Sequence, residues 1–164
     1  MHHYFEILAT LRATLRREGV RGVVIHLNRL TNYRFTSLYR FDKDRLESLC
    51  FYDRENPAQL STPNIPVLAS YCVFIRDGAR PFLTPDSLQD ERVRGHPKQH
   101  LVRSYCGVPL IAEDGRIFGT VCHFDLVPRA MGVDDLELLE VVATLLNELF
   151  AETLSIAAAG GSRH

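Results

Sequence analysis

The chain has 164 residues, of which 46% are hydrophobic and 24% are charged, which suits one soluble domain with a single core. The formal net charge is −1, from 19 basic and 20 acidic residues, so no overall positive field would attract nucleic acid or an anionic membrane. No apolar run reaches the roughly 20 residues of a membrane-spanning helix, and arginines stand where a signal peptide would have its apolar centre. We therefore expect a cytoplasmic protein that binds neither nucleic acid nor membrane.

The amino-terminal residues show helical periodicity. Apolar residues recur at steps of three and four from Phe5 to Leu15 and the pattern stops at Gly19, which is typical of an amphipathic helix ended by a glycine. Helical spacing returns over residues 23–30, so we expect a second helix that ends near residues 31–32. A β-branched pair within it also suits a strand, which leaves that alternative open.

Strands and a loop are predicted next. Residues 33–41 and 45–53 alternate apolar and polar side chains on either side of a polar turn at 42–44, so they should pair as an antiparallel hairpin. Residues 54–67 are rich in proline, asparagine and serine, which is typical of a loop used for binding or as a lid.

A short helix and a polar segment follow. We expect the helix after Ser70 and a brief strand over residues 81–84. Residues 85–98 are almost all polar apart from Leu88 and Val93. This pattern predicts a surface segment with a helical turn, anchored by those two side chains.

A long helix is predicted over residues 133–156. Asp134 or Asp135 can cap its amino end, and its apolar stripe is wider than one contact requires. The stripe suits a terminal helix packed on a sheet, and it also suits a helix that pairs with a second subunit. Residues 157–164 are typical of a flexible tail, so the single domain is expected to span residues 1–156.

The clearest signal is the stretch VRSYCGVPLIAEDGRIFGTVCHFD, residues 102–125, which predicts two strands around a Glu-Asp-Gly turn. With a two-residue turn, Cys106 lies opposite His123, and the sulfurs of Cys106 and Cys122 point to opposite faces. With a three-residue turn and a glycine bulge, the two cysteines are directly opposed. One residue of register therefore decides whether they share a face.

The four cysteines, at positions 50, 72, 106 and 122, have irregular spacing and no C-x-x-C pair. In a reducing cytosol this favours small buried thiols over a disulfide framework or a zinc site. His96 and His100 have the spacing of metal ligands on a helix, but Pro97 interrupts such a helix and no acidic third ligand is near. No metal site is therefore expected.

Apolar side chains point to both faces of this predicted hairpin, so both faces need cover. Gly107 and Gly119 lack side chains at points where another part of the chain must come close. Helices flank the strands in the sequence. The pattern predicts an α+β fold, an antiparallel sheet with helices on one face and short helices and loops on the other.

The same stretch, preceded by RPFLTPDSLQDERVRGHP and followed by an acidic-capped long helix, closely resembles the GAF domain of bacterial signalling proteins. In that family a strand of the form ysGvPL runs through a dG turn into GtLcv.D, and the resemblance covers about the whole chain. It implies terminal helices on one face of the sheet and a ligand pocket on the other, roofed by residues 55–75 and 85–100. It also implies a small-molecule ligand and, as in many members, a homodimer formed through the terminal helices.

Particular branches of the family match less well. Bilin-binding members attach their chromophore through a Cys-His pair, but Cys122-His123 lies late in a predicted strand. The signature of cyclic-nucleotide-binding members is missing. Free-methionine-sulfoxide reductase uses three cysteines, of which only Cys72 falls near a corresponding position, and histidines occupy the loop where that family keeps another.

Six residues are candidates for the ligand site. Arg103 stands beside a pocket-roofing loop, where its guanidinium can pair with a ligand carboxylate or phosphate, or instead with Asp86 or Asp90. Aromatic residues nearby suit a mostly apolar pocket with a few polar groups, although such residues are also common in cores. The predicted set is Tyr71, Phe74, Asp86, His100, Arg103 and Tyr105.

We therefore expect a small-molecule-sensing or regulatory domain that acts in signal transduction and has no catalytic activity of its own. The sequence identifies neither the ligand nor a cofactor nor a downstream partner. The alternative is a thiol-dependent redox enzyme resembling free-methionine-sulfoxide reductase. Its catalytic thiols would be Cys72 and Cys106, or Cys72 and Cys122.

Overall fold

The computed structural model describes the backbone of residues 2–161 and the side chains of residues 4–151. In chain order, the elements in this span are α1 (His2–Arg29), β1 (Phe35–Asp42), β2 (Arg45–Asp53), β3 (Ile65–Pro66), α2 (Cys72–Gly78), β4 (Phe82–Thr84), β5 (Ser104–Ile111), β6 (Ile117–Asp125) and α3 (Asp135–Gly161). Short 3-10 turns lie at Val67–Ala69, Ser87–Gln89 and Glu91–Val93.

The strands form one antiparallel sheet in the order β3-β2-β1-β6-β5-β4. Helices α1 and α3 pack against one face, and α2 packs against the other together with parts of the connecting loops. This arrangement confirms the predicted α+β class, with the terminal helices on one face and the short helix and loops on the other.

The sheet separates two hydrophobic cores. The helix-side core joins α1 and α3 to the sheet, and it includes Val23, Leu27, Val108, Val121, Leu139, Val142 and Leu146. The loop-side core joins α2 to the sheet, and it includes Tyr71, Cys72, Ile75, Phe82, Val93, Tyr105 and Cys122. Because side chains alternate along each strand, neighbouring residues of β5 and β6 serve different cores.

Helix α1 is interrupted at the glycine where a helix end was predicted. Gly19 has φ 74° and ψ −167°, a backbone conformation that residues with side chains rarely adopt. The second half is helical rather than extended, and it ends at Arg29 rather than at residues 31–32. Leu11 in the first half is fully buried while Phe5 is 65% exposed, so the helix leaves the core towards its amino end.

A buried polar junction ties the end of α1 to the sheet. The side-chain amide of Asn28 donates to Thr36 Oγ1 at 2.8 Å and to the Tyr33 carbonyl at 3.1 Å. The Arg54 guanidinium donates to Asn28 Oδ1 at 3.0 Å, and to the carbonyls of Asn28 and Thr31 at 2.6 and 2.8 Å. These bonds satisfy carbonyl groups that the end of a helix leaves without intrahelical partners.

Helix α3 buries its wide apolar stripe within the same subunit. Leu139, Val142 and Leu146 are fully buried, and apolar residues on either side of them are buried as well. The helix begins at Asp135, whose carboxylate accepts a hydrogen bond of 2.7 Å from the Gly132 amide. Of the predicted tail, residues 157–161 continue the helix and residues 162–164 lie outside the described residues. Neither α3 nor any other helix in the described span is long and apolar enough to cross a membrane.

The segment over residues 85–98 has one apolar anchor rather than two. Val93 is fully buried as predicted, but Leu88 is 42% exposed. Asp86 and Asp90 precede the two 3-10 turns, and each carboxylate accepts the backbone amide two residues further on, at 3.1 and 3.0 Å. Local polar caps therefore hold the turns where the second anchor was expected.

The tip of the β5–β6 hairpin is the three-residue turn. The Ala112 amide donates to the Arg116 carbonyl at 2.8 Å, and Gly115 has φ 85°. Between Leu110 and Ile111 the strand register then shifts by one residue. This irregularity restores, in the body of the hairpin, the pairing expected for the two-residue turn.

The shifted register places Cys106 and Cys122 on opposite faces of the sheet. Cys106 lies opposite His123, and Cys122 lies opposite Gly107. Cys106 belongs to the helix-side core and Cys122 to the loop-side core. All four cysteines are buried free thiols.

Both predicted glycines lie where other atoms come close. A Cβ at Gly119 would lie 2.1 Å from the backbone oxygen of Tyr39 in β1. A Cβ at Gly107 would lie 2.6 Å from the Tyr105 hydroxyl and 2.9 Å from Ile75 of α2. Gly119 therefore permits the β1–β6 pairing, and Gly107 permits α2 to approach β5.

Gly119→Ala is expected to lower the free energy of unfolding by about 1–3 kcal/mol, the usual cost of overpacking, because the added methyl group would collide with backbone atoms of β1. Urea denaturation measures the change. Gly78→Ala is the matched control, because its nearest contact would be an ordinary 3.6 Å to Arg80, and it should be neutral or slightly stabilising. Equal effects of the two substitutions would contradict the close approach of β1 and β6.

Candidate functional site

A cavity of about 480 Å³ lies on the loop side of the sheet. Residues of β1, β2, β5 and β6 form its floor, and residues from the ranges 59–71 and 98–102 form its walls. Both of the predicted roof segments contribute to these walls, although the second contributes only at its carboxyl end.

The floor of the cavity is aromatic. Phe35 stacks on Phe124 with 4.8 Å between ring centroids, and it lies 5.6 Å from the ring of Phe51. Tyr39 and Tyr105 extend this surface. Adjacent rings of this kind present a broad, flat apolar face, which suits a planar apolar ligand body.

One end of the cavity is charged but internally compensated. Arg34, just before β1, donates to both oxygens of Asp53 at 2.8 and 2.9 Å, and its Nε lies 3.1 Å from Glu55. The hydrogen bonds from Arg34 lower the pKa of the Asp53 carboxyl. The Arg34 amide also donates to Asp125 at 2.9 Å, so this cation is held in place by the end of β6 as well.

The second cation at the cavity is Lys98, which lies in the wall. Among the side chains of residues 4–151, no carboxylate is within ion-pair distance of its ammonium group. Lys98 therefore contributes a positive charge that the protein itself does not neutralise. A desolvated anionic group in the cavity would complement it.

The wall that carries Lys98 is fixed by His96. The Lys98 amide donates to His96 Nδ1 at 3.0 Å, so the proton of the neutral ring is on Nε2, which donates to the Ser70 carbonyl at 3.2 Å. Burial lowers the pKa of His96. Its ring also lies 4.8 Å from Tyr71 and 5.6 Å from Phe74, which joins residues 96–98 to the start of α2.

The predicted ligand residues are only partly brought together. Tyr71 and Tyr105 line the cavity, and Tyr71 donates through its hydroxyl to the Val102 carbonyl at 2.9 Å. Phe74 packs behind Tyr71 in the loop-side core, and His100 is exposed. Neither contributes to the cavity lining.

Arg103 and Asp86 form the ion pair that was considered as an alternative to ligand binding. Arg103 Nη2 donates to Asp86 Oδ1 at 2.8 Å, and neither residue lines the cavity. The sequence suggested that Arg103 binds the ligand because it stands beside a roof segment. In the structure its guanidinium instead binds Asp86 of that segment, which is thereby held to the start of β5.

Sequence reasoning missed several lining residues because it followed the loops rather than the strands. Phe35 and Tyr39 occupy alternate positions of β1 and so face the loop side together. Asp53 is paired across the strands with Phe35, so Arg34 is its diagonal neighbour at the end of the β1–β2 hairpin, within reach of a long side chain. Lys98 carried no such signal.

Cys72 and Cys122 are both fully buried in the loop-side core. Cys72 Sγ also lies 3.2 Å from the Tyr105 hydroxyl and 3.2 Å from Thr120 Oγ1. Burial alone would raise the pKa of Cys72, but hydrogen bonds from these neighbours outweigh it and lower the pKa, while burial raises the pKa of Cys122. Cys106 is on the other face of the sheet, so the alternative pair of Cys72 and Cys106 does not converge.

Within the described part of the chain, no group of three or more histidine, cysteine or acidic residues could hold a metal ion. His96 is committed to Ser70 and Lys98 through its two ring nitrogens.

The fold agrees with the protein family whose model the sequence matches. The model of the GAF domain family matches residues 16–149. The chain belongs to the GAF domain family. No curated protein matches it in sequence.

Solved structures of GAF domains share the fold across nearly the whole chain. The GAF domain of a phosphoenolpyruvate-protein phosphotransferase from Acinetobacter is 12% identical, with a TM-score of 0.76 over 95% of this chain and 97% of that one. Free methionine-R-sulfoxide reductase from Neisseria meningitidis, solved with its substrate, is 19% identical, with a TM-score of 0.72 over 92% and 91%. The phycocyanobilin-bound GAF domain of a cyanobacterial phytochrome is 14% identical, with a TM-score of 0.70 over 90% and 93%. At these identities the likeness establishes the fold and not the ligand.

Asp53→Asn is expected to lower the free energy of unfolding at pH 7 by about 1.5–3 kcal/mol, as for a hydrogen bond to a charged group, since the Asp53 side chain is only 3% exposed. The folded-state pKa of Asp53 is lowered, so its ionised form stabilises the fold above the unfolded-state pKa of about 3.9. That contribution disappears as the pH falls through the lower folded value.

Urea unfolding measured from neutral pH into the acid range checks this prediction. Wild type should lose stability below about pH 4 more steeply than Asp53→Asn. Asp77→Asn is the control, because Asp77 is 64% exposed in its pair with Arg76, and it should leave the acid profile unchanged. Parallel profiles for wild type and Asp53→Asn would contradict the role given to the Arg34 pair.

Proposed function

We propose that this GAF domain is a small-molecule-sensing regulatory domain and that its ligand occupies the cavity on the loop side of the sheet. The ligand class that complements the cavity has a flat apolar body and one anionic group. The body would lie on the rings of Phe35, Phe124 and Tyr105, and the anionic group would approach Lys98.

The size and lining of the cavity support this proposal. Its volume of about 480 Å³ falls within the range of roughly 300–1,000 Å³ that is usual for small-molecule sites. Aromatic side chains form the floor, and polar groups are few and lie at the edges. A site of this composition binds through apolar contact and gains selectivity from a small number of polar partners.

The positive charge of Lys98 is the reason for expecting an anionic group on the ligand. Arg34 is already paired with Asp53 and Glu55, so two carboxylates of the protein balance its positive charge. Lys98 has no carboxylate partner among residues 4–151, and it stands on a wall held to Ser70 by His96. A ligand anion would find a fixed and unneutralised cation there.

Signalling would follow from the shared strands. β1 and β6 carry cavity residues on one face and contact α1 and α3 on the other, so a ligand that favours one arrangement of the sheet shifts the packing of the terminal helices. We include in the proposal a homodimer formed through those helices. Because α3 buries its stripe internally, the dimer contact would use exposed apolar residues such as Phe5.

Burial of the thiol argues for sensing over a thiol-dependent enzyme. Cys72 is fully buried and does not line the cavity, whereas Tyr105, whose hydroxyl contacts the Cys72 sulfur, does line it. An enzymatic nucleophile must reach its substrate, whereas a ligand on the Tyr105 face would contact the ring and not the sulfur.

The deciding experiment is native mass spectrometry of the protein purified gently from its own cells, read together with a variant that fills the cavity. Wild type should carry a small-molecule adduct, and Ala69→Phe, in the cavity wall, should lose it. Ala130→Phe, at an exposed position, is the control that adds the same ring elsewhere. An adduct that persists in Ala69→Phe would show that the ligand binds outside the cavity.

Lys98→Met is expected to weaken binding of an anionic aromatic probe, anilinonaphthalene sulfonate, by about tenfold, which corresponds to about 1.4 kcal/mol. The substitution keeps the apolar stem and removes the charge. Isothermal titration calorimetry measures the affinity. Arg94→Gln is the control, since Arg94 is an 80% exposed cation on the same segment, and it should bind the probe as wild type does. Equal affinity of wild type and Lys98→Met would remove Lys98 from the site.

A further inference from the structure

A second chemical feature lies beneath the cavity floor and is independent of any ligand. Cys72 begins α2 and Cys122 lies in β6. Both side chains are fully buried in the loop-side core. Cys72 Sγ lies 3.2 Å from Thr120 Oγ1, and Thr120 is two residues before Cys122 on the same face of β6. The Tyr105 hydroxyl, also 3.2 Å from Cys72 Sγ, lies against Gly107, the residue paired with Cys122. Two thiols brought together from different elements in this way are the arrangement from which an oxidant can make a cross-link.

The surroundings of this pair favour reaction at Cys72. Its sulfur is within 3.2 Å of two hydroxyl groups, those of Tyr105 and Thr120, which can donate to a thiolate there. The thiolate is the reactive form of cysteine. The same hydrogen bonds, with that from Cys122, lower the pKa of Cys72.

The cavity brings a small oxidant close to this sulfur. Tyr105 lines the cavity, and its hydroxyl lies 3.2 Å from Cys72 Sγ. A single side chain therefore contacts both the cavity and this sulfur. A hydrogen peroxide molecule is small enough to pass where a larger substrate is not.

We propose that Cys72 and Cys122 form an oxidative modification site, in which peroxide converts the two thiols into a disulfide that links α2 to β6. The proposal does not rest on the identity of the cavity ligand or on its existence. It differs from the reductase alternative in that the chain itself is the species oxidised, and no organic substrate turns over.

The reaction balances in two steps. The Cys72 thiolate attacks one peroxide oxygen, so that an S–O bond forms, the O–O bond breaks, and hydroxide leaves to take up a proton as water. The Cys122 thiol then attacks the sulfenic sulfur of Cys72, so that the S–S bond forms and a second water leaves. Two thiols are oxidised by two electrons, and one peroxide is reduced to two waters.

The other two cysteines lack this arrangement. Cys106 is on the helix side of the sheet, 3.9 Å from the sulfur of Met131, and burial raises its pKa to about 12. Cys50 is also buried, and burial raises its pKa. Each is separated from the Cys72–Cys122 pair, so the structure provides one dithiol and two isolated thiols.

Disulfide formation would act on the cavity through two groups. Cys72 begins α2, next to Ser70 and Tyr71 of the cavity wall, so a bond to β6 would fix that end of the wall. Tyr105 would lose the thiol that its hydroxyl contacts. Oxidation would therefore change both the wall and the floor of the proposed ligand site.

The test treats the reduced full-length protein with hydrogen peroxide, alkylates the remaining thiols under denaturing conditions, and maps peptides without reductant. Wild type should lose two hydrogens in mass and yield one linked peptide pair containing Cys72 and Cys122, with Cys50 and Cys106 recovered alkylated. The double variant Cys50→Ser/Cys106→Ser should still form the link. Cys72→Ser and Cys122→Ser should each abolish it.

The peptide map of the wild-type protein tests the Cys72–Cys122 link by itself, whether or not the variants fold. No cross-link, a link that involves Cys50 or Cys106, or a link between two chains would overturn the proposal. The ligand proposal is tested separately. If it is wrong, native mass spectrometry shows no adduct in the cavity and the probe affinity does not depend on Lys98, but the peptide map after peroxide treatment is unchanged.

Discussion

The structure depends on a buried chain of hydrogen bonds that starts at Asn28 and ends in the middle of the sheet. Asn28 donates to Thr36 Oγ1, which forms a hydrogen bond of 2.7 Å with His123 Nδ1. The His123 ring is stacked on Tyr33 with 5.6 Å between centroids, and burial lowers its pKa to about 3. One amide thus fixes α1 against β1 and β6 at once, and each member of the chain is satisfied only if the others are in place.

This junction also positions the charged end of the cavity. Asn28 holds the Tyr33 carbonyl and the Thr36 hydroxyl, and the two residues between them, Arg34 and Phe35, both line the cavity. Asp53 and Asp125, at the ends of β2 and β6, meet Arg34 there. The polar network on one face of the sheet and the cavity on the other therefore share one short segment of the chain.

Much of the fold follows from local sequence patterns. The β1–β2 hairpin, the short helix after Ser70 and the break at Gly19 each rest on periodicity or on a glycine, and such signals are local. The cavity is less accessible to sequence reasoning, because its floor combines strands distant in the chain. Arg103 illustrates the limit: a guanidinium beside a binding loop suits a ligand anion or a neighbouring carboxylate equally well, and only the folded chain shows that Asp86 is the partner.

The register shift in the β5–β6 hairpin has a wider consequence. It separates the length of the turn at Glu113–Gly115 from the pairing of the strands below, since the extra residue is Phe118 of β6, which is unpaired opposite the step from Leu110 to Ile111. The side-chain alternation that sends Tyr105 and Cys122 to one core and Cys106 to the other is therefore insulated from changes at the tip. A change of one residue in the length of this exposed turn, matched by loss of the bulge, would leave the same side chains facing each core.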